Sequence, residues 1–145
     1  MISHVMNGTE LLAIIVSGRI PEPGIHFVTP HRFSQQLAYL NLPSGKSIEP
    51  HIHNPVNRTV SFTQEVLHIK KGKLRVDFYD EAERYLESRI LDSGDTILLA
   101  AGGHGFHVLE DVEMIEVKQG PYDEKRDKRR FPGISPDEVV VRDGR

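Results

Sequence analysis

The feature that most restricts the fold of this chain is a series of short apolar or alternating runs, each ended by a turn signal. Residues 11–16 are apolar and partly β-branched and stop at Ser17-Gly18, while residues 74–79 alternate with a period of two. No segment shows the apolar stripe of an amphipathic helix with three or more turns. Short strands at intervals of roughly ten residues predict an all-β protein built as a sandwich or barrel of antiparallel sheets.

The turn signals divide the chain into roughly nine or ten predicted strands. These strands are expected at residues 11–16, 25–29, 35–42, 65–70, 74–79, 85–91 and 95–99, around His107, and at 112–117. Residues 80–87 are expected at the tip of a hairpin, and Lys70, Lys71 and Lys73 are expected in a solvated hairpin around Gly72.

Length and composition indicate one ordinary globular domain. A chain of 145 residues with 38% hydrophobic and 27% charged residues is long enough to bury a single core. After Gly120-Pro121 the apolar pattern stops. We therefore predict a single β-barrel domain at residues 1–121 and a short, irregular, charged C-terminal tail at residues 122–145, in which Phe131 and residues 139–141 dock onto the barrel or onto a partner.

Charge and cysteine content restrict the expected partners and compartment. The net charge of −3 provides no basic field for nucleic acid. Residues 123–130 carry five basic and three acidic side chains, a mixture typical of a solvated surface, without adjacent aromatic residues for base stacking. No apolar run is long enough for a membrane-spanning helix, and no secretory signal pattern is visible. Because the absence of Cys is compatible with a reducing compartment, we predict a cytoplasmic protein without nucleic-acid or membrane partners.

Among the eight histidines, His51 and His53 stand apart because they form an H-x-H pair. Side chains at positions i and i+2 of a strand leave the same face, so both imidazoles can converge on one point. Pro50 and Pro55 flank the pair and favour an extended segment. The pair is a weak signal by itself and needs a further ligand nearby.

Glu65 supplies such a ligand. It begins a predicted strand in which Leu67 and Ile69 share its face, so its carboxylate is expected on the buried side. A buried carboxylate is costly unless it is paired or binds a cation, and two imidazoles with one carboxylate suit a divalent first-row metal. The alternative is that Glu65 pairs with Arg58 or faces water.

A second group of histidines follows a predicted turn and a buried strand. Gly102 and Gly103 allow the backbone to bend tightly just before His104. His104 and His107 are three residues apart, and an odd separation in a regular strand places two side chains on opposite faces. Only one of these two histidines is therefore expected to point inward.

The spacing of these residues resembles the two conserved motifs of the cupins. Residues 45–72, with Gly45, His51, His53, Glu65 and Gly72, resemble the first motif, and residues 94–104 resemble the second, which supplies the last histidine. More narrowly, the stretches GGHGF at residues 102–106 and EMIEVKQGPY at residues 113–122 are similar to those of small cupin metalloproteins of uncharacterised function.

The resemblance implies an antiparallel double-sheet jelly-roll barrel that holds a metal ion on three histidines and one glutamate. The matching residues of this chain are His51, His53, Glu65 and His104. Eleven residues separate His53 from Glu65, more than in the family pattern, so residues 54–64 are expected to form an inserted loop. The proline typical of the second motif is missing, which leaves His107 as a rival ligand. The expected cofactor is one divalent transition metal per chain: Fe, Mn, Ni, Co or Zn.

The expected chemistry follows from the ligand set. Four protein ligands on an ion that prefers six leave positions for water or for a pair of substrate oxygens. We therefore predict an enzyme that acts on a small oxygenated molecule, such as a sugar derivative or a keto acid, by isomerisation or oxidation, with Glu65 also able to carry a proton. Arg58, Tyr39 and Phe106 are candidate substrate-binding residues, and Lys118 can also line the cavity. The alternative is a non-catalytic module that binds or senses a small molecule.

We also expect a homodimer. The strand edges of a small barrel need covering. Residues 11–16 form an apolar strand near the N-terminus, which we expect to pair with the same strand of a second chain across a two-fold axis.

Overall fold

The computed structural model describes residues 1–123 and 126–142, and this part of the chain is almost entirely β-structure. Its strands are β1 (Ile2–Asn7), β2 (Glu10–Val16), β3 (Gly24–Phe27), β4 (Ala38–Asn41), β5 (Glu65–Tyr79), β6 (Tyr85–Asp92), β7 (Thr96–Leu99) and β8 (Gly103–Lys118), and a short 3-10 helix covers Pro136–Glu138. All pairs between these strands are antiparallel. The prediction of an antiparallel all-β protein is confirmed. No helix of the described residues is long and apolar enough to cross a membrane.

The chain forms two compact units. The main unit consists of Met1–Gly18 and Thr63–Arg145, and the small unit consists of Arg19–Phe62. The predicted boundary between residues 121 and 122 falls inside the main unit. Residues 124–125 and 143–145 of the predicted tail lie outside the described residues.

The sheet of the main unit is organised by β5. One edge of β5 pairs with β8 along almost its whole length, whereas the other edge pairs first with β7, through residues 65–68, and then with β6, through residues 73–79. The change of partner occurs at the turn between β6 and β7. There the Ile69 N–H donates to the Asp95 carbonyl (2.9 Å) and the Gly94 N–H donates to the Ile69 carbonyl (2.7 Å). Because β5 pairs with β7 in its first part and with β6 in its last part, the sheet is curled. The face that the curl encloses is called the inner face below.

The curl is concentrated in a bulge at Gly72. This residue has a φ of +83°, and a Cβ built on it would lie 2.0 Å from the carbonyl oxygen of Asp111 on β8. The register between β5 and β8 shifts three times between Ile69 and Leu74. A bulge of this kind inserts residues into a ladder and bends it without ending the strand. The predicted hairpin around Gly72 is therefore wrong.

The bulge also explains why two pairs of predicted strands are single strands. Residues 65–70 and 74–79 both belong to β5, and the stretches around His107 and at 112–117 both belong to β8. A glycine with positive φ between two lysines has the same sequence pattern as a turn. At Gly72 the strand continues because it pairs with β8, which lies about forty residues away along the chain.

The core lies on the inner face of the curled sheet. On β5 the buried apolar residues are odd-numbered before the bulge, at Leu67 and Ile69, and even-numbered after it, at Leu74, Val76 and Phe78. One extra residue in a strand reverses which positions face inward. The other strands contribute Val5, Leu12, Ala13, Ile15, Leu91, Ile97 and Leu99 to the same cluster.

The described part of the C-terminal segment packs on β5 and β6. The Phe131 ring meets the Tyr79 ring edge-on, with centroids 5.0 Å apart, and the Ile134 N–H donates to the Tyr79 hydroxyl at 2.9 Å. Further along, the Ser88 N–H donates to the Val140 carbonyl, and Val141 forms a parallel bridge with Ser88. The apolar residues expected to dock thus make their contacts within the main unit.

Strand β2 does not provide the expected dimer edge. Residues 11–16 lie in β2, which pairs with β1 on one edge and with β7 on the other. Since both edges are already paired within the chain, this strand cannot pair with its copy across a two-fold axis while the sheet is intact. A homodimer needs another surface.

The small unit has little regular structure. Strands β3 and β4 form its two-stranded sheet, with His26 opposite Tyr39. Residues 42–64 contain no strand, in agreement with the loop expected at residues 54–64. Within Arg19–Phe62, Thr29 is the one buried residue.

Candidate functional site

The curl of the main sheet brings Glu65 and His104 together. Glu65 is the first residue of β5, whereas His104 lies opposite Phe78, near the other end of β5. In a straight strand these ends would be separated by roughly 40 Å. The Oε2 atom of Glu65 is nevertheless 3.1 Å from the Nε2 atom of His104. The two side chains therefore meet across the interior of the curled sheet.

Glu65 is buried, as the alternation with Leu67 and Ile69 predicted, with 7% of its surface exposed. Its Oε2 contacts His104, while its Oε1 lies 3.6 Å from the Nζ of Lys118. The hydrogen bond from His104 lowers the pKa of Glu65 below its ordinary value, and the charges of His104, Lys118 and Lys128 act in the same direction against the effect of burial. At neutral pH the carboxyl group is therefore ionised, which is the form that binds a cation or accepts a proton.

Lys118 is positioned by the register of β8. It lies directly opposite Glu65, and cross-strand partners of an antiparallel pair share one face of the sheet. Its ammonium group also contacts the Glu116 carboxylate at 3.3 Å and lies 5.2 Å from the centroid of the Tyr122 ring. Burial opposes protonation of Lys118, but the hydrogen bond with Glu116 and the charge of Glu65 outweigh it and raise its pKa. The group is a permanent cation beside the Glu65 carboxylate.

His104 and His107 occupy different environments on β8. His104 reaches Glu65 and has its ring 5.3 Å from the Phe106 ring. His107 is exposed and lies opposite Arg75. Their odd separation predicted this difference. Of the two rival ligands, His104 is the one that the structure brings to Glu65.

His51 and His53 belong to the small unit. Both are exposed on the segment without strands, so the H-x-H pair is not part of a strand as expected. The prolines on either side provide no N–H for a sheet ladder. The two rings are still close, with centroids 5.1 Å apart, and the Nδ1 atom of His51 hydrogen-bonds to the Glu49 carbonyl at 2.9 Å. With Nδ1–H as the donor, Nε2 keeps its lone pair for a ligand.

The predicted substrate-binding residues are divided between the two units. Phe106 lies on β8 beside His104, in the main unit. Tyr39 is a half-buried residue of β4, and Arg58 is exposed on the irregular segment, both in the small unit. Arg58 was also the alternative partner for Glu65, whose contacts in the main unit are with His104 and Lys118.

The contact of 3.1 Å between Glu65 Oε2 and His104 Nε2 has the length of a hydrogen bond. Among residues 1–123 and 126–142, no group of three or more His, Cys, Asp or Glu side chains is gathered closely enough to hold a metal ion.

Comparisons with family models, with curated proteins and with solved structures found no match for this chain.

Proposed function

We propose that this chain is a cupin-like metalloprotein that uses one divalent metal ion to act on a small oxygenated molecule, such as a sugar derivative or a keto acid, by isomerisation or oxidation. The observation that carries this proposal is the contact of 3.1 Å between Glu65 and His104, which come from opposite ends of the curled sheet. A buried, ionised carboxylate beside an imidazole nitrogen is a donor set that suits a divalent first-row ion.

The remaining ligands of the proposal are His51 and His53. Their closely spaced rings, and the hydrogen bond from His51 to the Glu49 carbonyl, support this assignment. Metal-binding histidines commonly donate their second ring nitrogen to a carbonyl in this way, which fixes the tautomer and the orientation of the ring. The cupin jelly roll and the four-residue ligand set of the proposal come from the sequence motifs.

Each residue around Glu65 has a defined part in this proposal. A bound divalent ion would supply a Lewis acid that polarises a carbonyl or activates water. Glu65 would present Oε2 as the ligand atom, and Lys118, 3.6 Å from Oε1, would hold the carboxylate in one orientation. His104 would present Nε2, the nitrogen that here hydrogen-bonds to Glu65 Oε2, as its ligand atom. The Phe106 ring lies beside the His104 ring, with centroids 5.3 Å apart, and offers an apolar contact there.

A second function, binding or sensing without turnover, is favoured by one observation. Both oxygens of Glu65 already face cationic or hydrogen-bonding groups, His104 and Lys118. A carboxylate held in this way is well suited to keep a ligand in place and less suited to exchange protons with it. Turnover of a bound compound that depends on the added metal would favour the enzyme, and saturable binding without turnover would favour the module.

Metal analysis of matched variants tests the proposal. Purified wild-type protein is reconstituted with Zn²⁺ or Mn²⁺, and the bound metal is measured by elemental analysis beside Glu65→Gln, His104→Ala and the double variant His51→Ala/His53→Ala. We expect each variant to bind the ion more than about tenfold more weakly, because each loses a ligand. His107→Ala is the control, since it removes an exposed histidine of the same strand, and it should bind like the wild type. Equal metal content in the wild type and the ligand variants would contradict the proposal.

A further inference from the structure

The backbone just before His104 is packed too closely to carry side chains. A Cβ built on Gly103 would lie 3.0 Å from the Cζ atom of Phe131 and 3.2 Å from the Cβ of Tyr79. At Gly102, which has a φ of +70°, a Cβ would lie 2.6 Å from the Tyr79 carbonyl oxygen. Gly102 therefore lets β8 approach β5, and at Gly103 the Phe131 ring takes the space of a side chain.

The Phe131 ring and the His104 side chain lie on opposite faces of the sheet. Tyr79 and Gly103 are directly opposite each other in the ladder of β5 and β8, so they share one face with the Phe131 ring. The next residue of the strand, His104, points to the other face, where its Nε2 lies 3.1 Å from the Oε2 of Glu65. The contact of Phe131 with Tyr79 and Gly103 is called the aromatic anchor.

The aromatic anchor is held by hydroxyl groups of the main sheet. The Phe131 ring meets the Tyr79 ring edge-on, with centroids 5.0 Å apart, and the Ile134 N–H donates to the Tyr79 hydroxyl at 2.9 Å. Further along, the Val140 N–H donates to the Tyr85 hydroxyl at 2.9 Å. Two tyrosines of neighbouring strands therefore fix the segment that carries Phe131.

The segment that carries the anchor lies outside the core. None of the described residues 126–142 belongs to the buried apolar cluster of the main sheet. Segments outside a core open locally at a lower free energy than the core strands. The aromatic anchor can therefore detach while the main sheet stays folded.

The beginning of the same segment contacts the neighbours of Glu65. The ammonium group of Lys118, 3.6 Å from the Oε1 of Glu65, lies 5.2 Å from the centroid of the Tyr122 ring. The side-chain carbonyl of Gln119 accepts a hydrogen bond of 2.7 Å from the N–H of Gln64, the residue before Glu65. The residues that follow β8 thus contact the surroundings of both members of the site.

We propose that docking of the C-terminal segment controls the site of Glu65 and His104, with Phe131 as the positioning residue. The docked ring holds Gly103 against β5 and so fixes the direction in which His104 leaves β8. The inference rests on the proposed function, because it takes His104 as a metal ligand. Since coupling between two sites is reciprocal in binding free energy, detachment of the segment weakens metal binding, and a bound metal strengthens docking.

Nuclear magnetic resonance of the metal-free protein tests the anchor without a metal ion. The ¹⁵N resonance of the His104 ring is identified by its absence from the spectrum of His104→Ala. We expect it to shift in Phe131→Ala, because packing no longer fixes the imidazole against Glu65. Val140→Ala is the matched control, since it shortens a side chain of the same segment and keeps its backbone contacts. An unchanged resonance in Phe131→Ala, or the same shift in both variants, would overturn the inference.

The Zn²⁺ affinity of the same variants tests the coupling. We expect Phe131→Ala to bind Zn²⁺ more than about fivefold more weakly than the wild type, within the range typical of coupled sites, and Val140→Ala to bind like the wild type. Equal affinities of the two variants would overturn the coupling. A wild type that binds no Zn²⁺ would instead contradict the proposed function, and the resonance of His104 would still decide the part of Phe131.

Hydrogen exchange tests the reciprocal effect. Amide exchange of residues 131–142 is measured by mass spectrometry in the presence of Zn²⁺ and after its removal by a chelator. We expect Zn²⁺ to slow this exchange more than about fivefold in the wild type and to leave it unchanged in Phe131→Ala. Exchange that bound Zn²⁺ does not alter in the wild type would overturn the coupling.

Discussion

At the scale of single residues, two buried carboxylates show how the chain compensates the cost of burying charge. Glu65 is held by His104 and Lys118, and Asp80 is held by the turn that follows β5. The carboxylate of Asp80 accepts hydrogen bonds from the backbone N–H groups of Ala82 and Arg84 and from the Arg84 guanidinium. In both cases the ionised form is stabilised, so each group keeps its charge although it is buried.

The hydrogen bonds of Asp80 predict that the free energy of unfolding depends on pH. The backbone N–H of Arg84 is the largest cause that holds the pKa of Asp80 below its ordinary value of 3.8, and the Arg84 guanidinium and the Ala82 N–H act in the same direction. Because the folded pKa is the lower one, Asp80 stabilises the fold above the unfolded value, and this contribution is lost as pH falls through the folded value.

We expect the free energy of unfolding in urea to fall more steeply between pH 5 and pH 2 for the wild type than for Asp80→Asn, a pH range around the ordinary value of 3.8. The variant keeps the acceptor oxygen and all other carboxylates, and it cannot be protonated in this range. Parallel pH profiles for the two proteins would show that the turn does not favour the ionised carboxylate.

The inward direction of Glu65 was predictable, whereas its contact with Lys118 was not. The alternation of Glu65 with Leu67 and Ile69 lies within one strand and is visible in the sequence. Lys118 reaches Glu65 only because the register of β8 places the two residues opposite each other. Register depends on three shifts around the Gly72 bulge, and no local pattern specifies them.

At the scale of elements, the bulge in β5 and β8 determines which residues face the interior. It joins two predicted strands into one, and it changes the inward positions from odd to even. Prediction from local patterns succeeded where a strand directly follows a turn in the sequence. The strand predicted at residues 95–99, for example, agrees closely with β7, Thr96–Leu99. It failed where a glycine bends a strand that continues, because turn and bulge share the same residue preferences.

Gly72→Ala tests the importance of this bulge. A Cβ at this position would lie 2.0 Å from the Asp111 carbonyl oxygen, at a φ of +83°. We expect a loss of about 3 kcal/mol or more in the free energy of unfolding, because backbone must shift as well as adopt a strained conformation.

Gly94→Ala is the matched control for Gly72→Ala. Gly94 has a similar φ of +92° with nothing within 4 Å of the added carbon, so its cost is limited to the strain, about 1–2 kcal/mol. Urea unfolding measures both variants. Equal losses for the two would mean that the close approach of β5 and β8 contributes nothing.

The docking of the C-terminal segment is tested by Tyr79→Phe. The Tyr79 hydroxyl accepts a hydrogen bond from the Ile134 N–H at 2.9 Å, while its ring contacts Phe131. Loss of the hydroxyl should cost about 1 kcal/mol and increase amide exchange at residues 131–142. Tyr122→Phe removes an exposed hydroxyl and serves as the control. Unchanged exchange in Tyr79→Phe would contradict this role of the hydroxyl.

At the scale of the whole molecule, the proposed ligands come from both units. His51 and His53 lie in the small unit, and Glu65 and His104 lie in the main unit. The all-β fold class could be predicted from the sequence, because the alternation of apolar and polar residues is visible within each strand by itself. The contact between Glu65 and His104 does not follow from the strand pattern, since spacing along the chain does not place separate strands next to each other.

Metal binding should therefore order the small unit. We expect residues 19–62 to be cut more slowly by trypsin when Zn²⁺ is present than when it is removed by a chelator, because the proposed ligands His51 and His53 lie in this segment. The His104→Ala variant should lose this protection, and His107→Ala should keep it. Protection that persists in His104→Ala would show that the ion acts elsewhere.

The most direct test of the metal site is a crystal structure of the protein grown with Zn²⁺ or Mn²⁺, with anomalous diffraction collected at the absorption edge of the metal. We expect one anomalous peak per chain at about 2.1 Å from both the Oε2 atom of Glu65 and the Nε2 atom of His104, with His51 and His53 completing the ligand set. A map without a peak at Glu65, in which its carboxylate remains hydrogen-bonded to His104 while the metal is bound elsewhere, would contradict the proposed function.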